Sequence, residues 1–338
     1  MADEDFLIQT PPKPRLWLPR FWGAGAGRPR LGGSRLRRLL KWTAGIVVLL
    51  LLVYYPLGAL YVHEIDDDPN FGPGEVAPGA SRAVAMAAAL IDREVNQNSW
   101  PANHPWFFAG SILDNMPNYQ EGIIQALSRF ALEMTDQIGR ARGSSQADAD
   151  LERARSLLNY APDVWHWDFK VSIWPTATSV QQYKAARQAL LSYNRRLAAG
   201  TAVFDFRSDN LLATLDRIAK DMGSASAALE QRIEQHSGDW VDFEADDRFY
   251  RTKGELYGYA LVLRELGLDF APVLKERGLE KVWKEMLDNL FVAAELQPWI
   301  VVNGAPDSQA LPSHLSGQGF FLLRARSQIF EIVDVLLK

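Results

Sequence analysis

At 338 residues and 48% hydrophobic composition, the chain has material for one large core or two smaller ones. It contains no cysteine, which excludes disulfides, thiol catalysis, thiolate metal sites and cysteine-linked lipid anchors. The net charge of -5 conceals an asymmetry: nine of the 36 basic residues precede residue 42 against three acidic ones, leaving 27 basic and 38 acidic residues afterwards, a balance that excludes nucleic acid as a natural partner.

Residues 1–41 form a basic tail in which Arg35, Arg37, Arg38 and Lys41 stand just before an uncharged run. Trp17, Phe21 and Trp22 lie among its basic residues and prolines; a disordered tail that sets topology is the simpler reading, and an interfacial segment on an anionic leaflet the alternative. Residues 42–62 are free of charge, and 21 residues in a helix span about 30 Å, the thickness of a bilayer's hydrocarbon core. Trp42 at one end and Tyr54, Tyr55 and Tyr61 toward the other suit the two interfacial belts. A cleaved signal peptide fits less well, because its basic region would be unusually long and no small-x-small site follows closely. A buried core helix fits poorly between basic and acidic flanks. Basic residues beside a membrane helix stay in the cytoplasm, so the expected topology is N-terminus inside, with the body in the periplasm of a bacterial inner membrane. The bilayer is then a partner through residues 42–62.

Residues 63–80, rich in acidic residues, proline and glycine, read as a linker that could hold the body about 60 Å from the membrane if fully extended. From 81 to 338 the apolar spacing is mostly helical. Helices are expected over 81–95 with Ser81 as N-cap, then over 119–138, 147–160 and 180–197, the last closed by Gly200. The clearest period runs over 208–236, where Leu211, Leu215, Ile218, Met222, Ala225, Leu229 and Ile233 form a heptad seam. That seam predicts a bundle helix satisfied within the chain, or alternatively an oligomeric contact. Further helices are expected over 249–266, 279–296 and 319–337. One segment departs from this pattern: Trp165, Trp167, Phe169, Val171 and Ile173 alternate with His166, Asp168, Lys170 and Ser172, as in a half-buried strand. Residues 203–207 and 299–302 offer short partners, and an isolated extended segment is the alternative. The expected fold is therefore mainly α: one transmembrane helix followed by a multi-helix bundle, with room for a minor β element.

Chemistry is sparse. His63, His104, His166, His236 and His314 have no metal-ligand spacing, so no metal is expected. Asp307, Ser308, His314 and Ser316 share a loop but lack a nucleophile elbow. Asp242, Glu244, Asp246 and Asp247 precede a helix, where acidic residues complement the N-terminal dipole. No phosphate-binding glycine motif occurs, and neither a cofactor nor a catalytic residue is assigned. Eight tryptophans lie in the body, and Trp100 and Trp106 flank the loop motif Trp-Pro-Ala-Asn-His-Pro-Trp, the kind of setting that carries binding residues. The candidate binding surface comprises Trp100, His104, Trp106, Asn115, Asn118, His166 and Asp168.

Residues 113–122 (LDNMPNYQEG), the stretch 165–194 and residues 204–211 (FDFRSDNL) resemble the bacterial domain of unknown function 2333 family. The resemblance extends over most of the chain and implies an envelope protein, without implying any activity or catalytic residue. The expected function is a non-enzymatic envelope scaffold with a protein partner; an enzyme or binder acting on cell-wall glycan or peptide is the alternative.

Overall fold

A computed structural model describes residues 33–139, 147–167, 173–237, 242–306, 308–309 and 311–338. The basic tail before residue 33 lies outside the described residues. Contacts divide the chain into residues 1–51 and a compact body from Leu52 onward.

The first helix, α1 (Gly33–Val62), contains the expected span, with Pro56 inside it. Within residues 35–62, an 18-residue stretch has a mean hydropathy of 2.2 and almost no buried side chains, and Trp42 is 74% and Tyr61 92% exposed. That exposure sets aside the buried-core-helix reading. α1 is long and apolar enough to cross a membrane, a property shared with signal sequences.

Helices α2 (Arg82–Asp92), α3 (Asn115–Glu133), α4 (Ala149–Leu158), α5 (Ser179–Ala198), α6 (Ser208–His236), α7 (Phe243–Asp269), α8 (Ala271–Glu276), α9 (Glu280–Ala294) and α10 (His314–Leu336) follow. Several of their starts carry side-chain caps: the Ser81 hydroxyl accepts from Val84 N, and Thr178 and Gln181 form a reciprocal capping box. α5 ends at Gly200, whose φ of 70° is the left-handed conformation glycine favours.

α7 is the central post. From Thr252 to Gly267 every residue except Arg264 is buried, as befits a helix covered on all sides. α3 crosses it most extensively, and α2, α9, α6 and α10 also contact it. The crossing with α3 depends on glycine: a Cβ on Gly254 would run into the Tyr119 carbonyl, one on Gly122 into that of Arg251, and one on Gly258 would lie 3.0 Å from the Ala126 methyl. α10 packs on α6 and α9, and α4 on α5. The seam of α6 is satisfied inside the chain, with Leu211, Leu215, Ile218, Met222 and Leu229 buried, each contributing roughly 2 kcal/mol of apolar burial.

Two expectations change. Among the described residues the minor β element reduces to an isolated antiparallel bridge between Asn303 and Ser313, with no strand. Residues 168–172, including Asp168, lie outside the described residues. At the ends of that segment, Thr176 N donates to His166 O at 3.0 Å, but Trp167 and Ile173 are 50% and 80% exposed. At these described ends, the apolar positions Trp167 and Ile173 are therefore not on a buried face. Residues 203–207 are equally strandless; Asp205 N instead donates to Ile138 O, at the end of the π-helical turn Met134–Ile138 that follows α3.

The segment read as a spacer is also not free. Tyr119 Oη donates to Asp66 O at 2.6 Å, Tyr257 Oη to Asp68 O at 2.8 Å, and Arg264 to the carbonyls of Pro69 and Phe71. Arg93 stacks over Phe71, 4.5 Å from its centroid, and pairs with Asp66. Composition showed the acidic residues and prolines of a linker; the donors that hold it are Arg93, just after α2, and side chains of α3 and α7.

Candidate functional site

The proline-rich loop before α3 places its residues at two depths. Trp100 is buried, its Nε1 donates to Pro162 O at 2.9 Å, and its ring meets Tyr183 edge-on at 5.2 Å. It is a packing post. Two 3₁₀ turns, Pro101–Asn103 and Ala109–Ile112, then turn the chain outward, leaving Trp106 78%, Phe107 46%, Phe108 41% and Ile112 54% exposed. Phe107 and Phe108 lean on Trp165, at 5.7 and 6.5 Å between centroids. His104 lies beneath this rim against Phe108 and close to Gly110, where a Cβ would approach its Nδ1 to 2.5 Å. That nitrogen is buried without a hydrogen-bond partner, and burial lowers the imidazole's pKa. His166 is exposed beside Trp165.

Asn115 and Asn118 belong elsewhere, at the start of α3, where the start of α7 meets them. Asn118 Nδ2 donates to Asp247 Oδ1 at 2.7 Å and to Asp114 O at 3.0 Å. The Asn115 amide faces Asp246 and Asp114. Burial and the neighbouring carboxylates of Asp114 and Asp247 push Asp246 up to about 6, and burial likewise raises Asp247. Asp242, by contrast, caps α7 through Ala245 N and pairs with Arg232, and Glu244 pairs with Arg248. The acidic run therefore divides into a structural half and a half that joins Asp114 and the two asparagines. Among the described residues, no group of three or more histidine, aspartate or glutamate side chains has metal-binding geometry.

The loop before α10 is held by its own polar contacts: His314 Nδ1 accepts from Val302 N at 2.9 Å, and the Ser313 and Ser316 hydroxyls lie 2.6 Å apart. Asp307 is outside the described residues.

A cleft of about 540 Å³, which no sequence motif marks, lies between α3, α4, α7 and residues 159–162. Arg129 and Arg155 line it with loose ion pairs, 3.8 Å to Asp221 and 3.7 Å to Asp136, and Arg251 pairs there with Glu121. Tyr160, Gln125 and Ser128 supply neutral polar groups. One turn beyond Arg251, Glu255 is almost wholly buried with Oε1 unpartnered, and desolvation together with Asp221 pushes it up to about 8. These residues come from separate helices with no common spacing, which is why the sequence does not group them.

Residues 102–239 match the model of a bacterial family described as "Uncharacterized protein conserved in bacteria (DUF2333)". The resemblance read from the sequence holds over this segment, which includes all three stretches that carried it and is shorter than the nearly whole-chain coverage expected. The segment contains the aromatic loop and most of the cleft lining. No curated protein and no solved structure matches the chain.

Proposed function

We propose that the chain is a membrane-anchored, non-catalytic envelope protein: α1 lies in the bacterial inner membrane, the basic tail in the cytoplasm, and the helical body in the periplasm, where it holds a protein partner. The observation that carries this reading is α1, an apolar helix whose side chains from Arg35 to Tyr54 are all exposed. Arg35, Arg37, Arg38 and Lys41 favour the inward N-terminus. The capped helices and the glycine-mediated crossing of α3 on α7 suit a body that keeps its shape, as an assembly platform requires.

The chain's lack of cysteine makes the test direct. In spheroplasts, a membrane-impermeant maleimide is expected to label Lys281→Cys, at an exposed position of α9, and to spare Ala2→Cys until the membrane is opened. Labelling of Ala2→Cys alone would reverse the topology. Affinity capture of the full chain from detergent-solubilised membranes tests the scaffold role, and repeated failure to retain any specific protein would count against it.

The cleft favours a second reading, a binder of cell-wall glycan or peptide, because arginines beside Tyr160 offer both charge and a stacking ring. Purified wall fragments should then protect Arg155 from chemical modification, and unchanged modification would dismiss this reading.

A further inference from the structure

The exposed aromatic loop is fastened to α1 itself. Tyr55 Oη donates to Trp106 O at 2.6 Å and Tyr54 Oη to Phe107 O at 3.1 Å. Ala109 sits where a Cβ on Gly58 would be, and Val62 lies beside Gly110. These contacts fall within the last three turns of α1. A bilayer that receives α1 as far as Val62 therefore meets the loop at the same depth as the helix residues holding it.

We propose that residues 104–112 are a second membrane contact, with Trp106, Phe107, Phe108 and Ile112 entering the headgroup and acyl boundary of the leaflet through which α1 leaves the membrane. The inference rests on the reading of α1 as a membrane span. Three observations support it beyond position. The four side chains form an uncovered apolar rim of the kind that water disfavours and the bilayer interface attracts. From 98 to 113 there is no charged residue to desolvate. The loop also satisfies much of its own backbone, as a water-poor region requires: Phe108 N donates to Pro105 O, Ser111 N to Phe108 O and Leu113 N to Gly110 O, while Tyr54, Tyr55 and Ser111 hydroxyls serve the carbonyls of Phe107 and Trp106. The occupant of this surface is thus a lipid interface rather than a protein, and the loop and α1 grip one leaflet together.

Single nitroxide labels on the full chain, reconstituted in vesicles of phosphatidylethanolamine and phosphatidylglycerol, test this. Val48→Cys reports the middle of α1, Ile112→Cys the loop and Lys281→Cys the body; Ser111→Cys replaces Ile112→Cys if that variant fails to fold. Relative to the Lys281 label, the Val48 and Ile112 labels are expected to collide severalfold more with oxygen, which partitions into lipid, than with a water-soluble nickel chelate. A lipid-like Val48 label with a loop label as nickel-accessible as that on Lys281 would overturn the loop contact and leave the anchor standing. A nickel-accessible Val48 label would overturn both.

Discussion

The ammonium of Lys253 lies 2.5 Å from the carboxylate of Asp67, joining the central helix to a residue 186 positions earlier in the chain. Lys253 is buried and also donates to the carbonyls of Ala294 and Leu296, while Gln297 donates to the same carboxylate. One cation thus fastens the segment after α1 and the end of α9 to α7. Asp67→Ala leaves that ammonium without its counter-charge, and stability should fall by about 3 kcal/mol. Adding Lys253→Met should recover much of the loss, because the unpaired buried charge is then gone. Denaturant unfolding in detergent, followed by circular dichroism, measures both; an unchanged midpoint for Asp67→Ala would mean the segment is not held this way.

The α3–α7 crossing should tolerate no side chain at Gly254. Gly254→Ala forces the helices apart at Tyr119, an overpacking expected to lower stability by about 3 kcal/mol. Gly317, in α10, has open space where its Cβ would be, so Gly317→Ala should be neutral or stabilise by up to about 1 kcal/mol. Thermal unfolding of the two variants should shift in these different ways.

Stability should decline as pH rises from about 5 to about 8. Asp246 and Glu255 have folded pKa values raised to about 6 and about 8, chiefly by burial. At these two carboxyls the folded state holds its proton to higher pH than the unfolded one, so their contribution to stability is lost as pH rises through the window. Glu255→Gln should therefore flatten the upper part of the dependence, and Asp246→Asn the lower part. Melting temperatures recorded across this range would show it; a Glu255→Gln profile parallel to that of the unsubstituted chain would contradict the assignment.

The two tryptophans of the loop should separate cleanly. Trp100→Ala removes a buried ring and its bond to Pro162, costing about 3–5 kcal/mol. Trp106→Ala, at an exposed position, should change stability in detergent by no more than about 0.5 kcal/mol. Melting curves of the purified variants would reveal any departure from that order.

Much of this architecture was legible because local patterns carry it. The seam from Leu211 to Ile233 lies in a helix whose bounds, Ser208–His236, coincide with the expected ones, since a heptad period leaves little ambiguity. Ser81 caps α2 as its hydroxyl suggests. α8 went unanticipated because six residues beginning Ala-Pro are too few to show a period. Near Trp165 the alternation leads to no strand among the described residues, although Thr176 N donates to His166 O; residues 168–172, the middle of that alternation, lie outside them.

By itself, then, the sequence determined the helical class, the apolar helix with its charged flanks and the order of elements, all properties of residues close together along the chain. Only the tertiary structure decided that Asp66, Asp67 and Asp68 are strapped to the body, that Asn118 meets Asp247, that Glu255 is buried near Asp221, and that Trp106 hangs beside Tyr55. These depend on which faces bury one another, at Gly122, Gly254 and Gly258 between α3 and α7 and at Gly58 against Ala109 between α1 and the loop, glycines whose missing side chains leave no hydrophobic pattern to read.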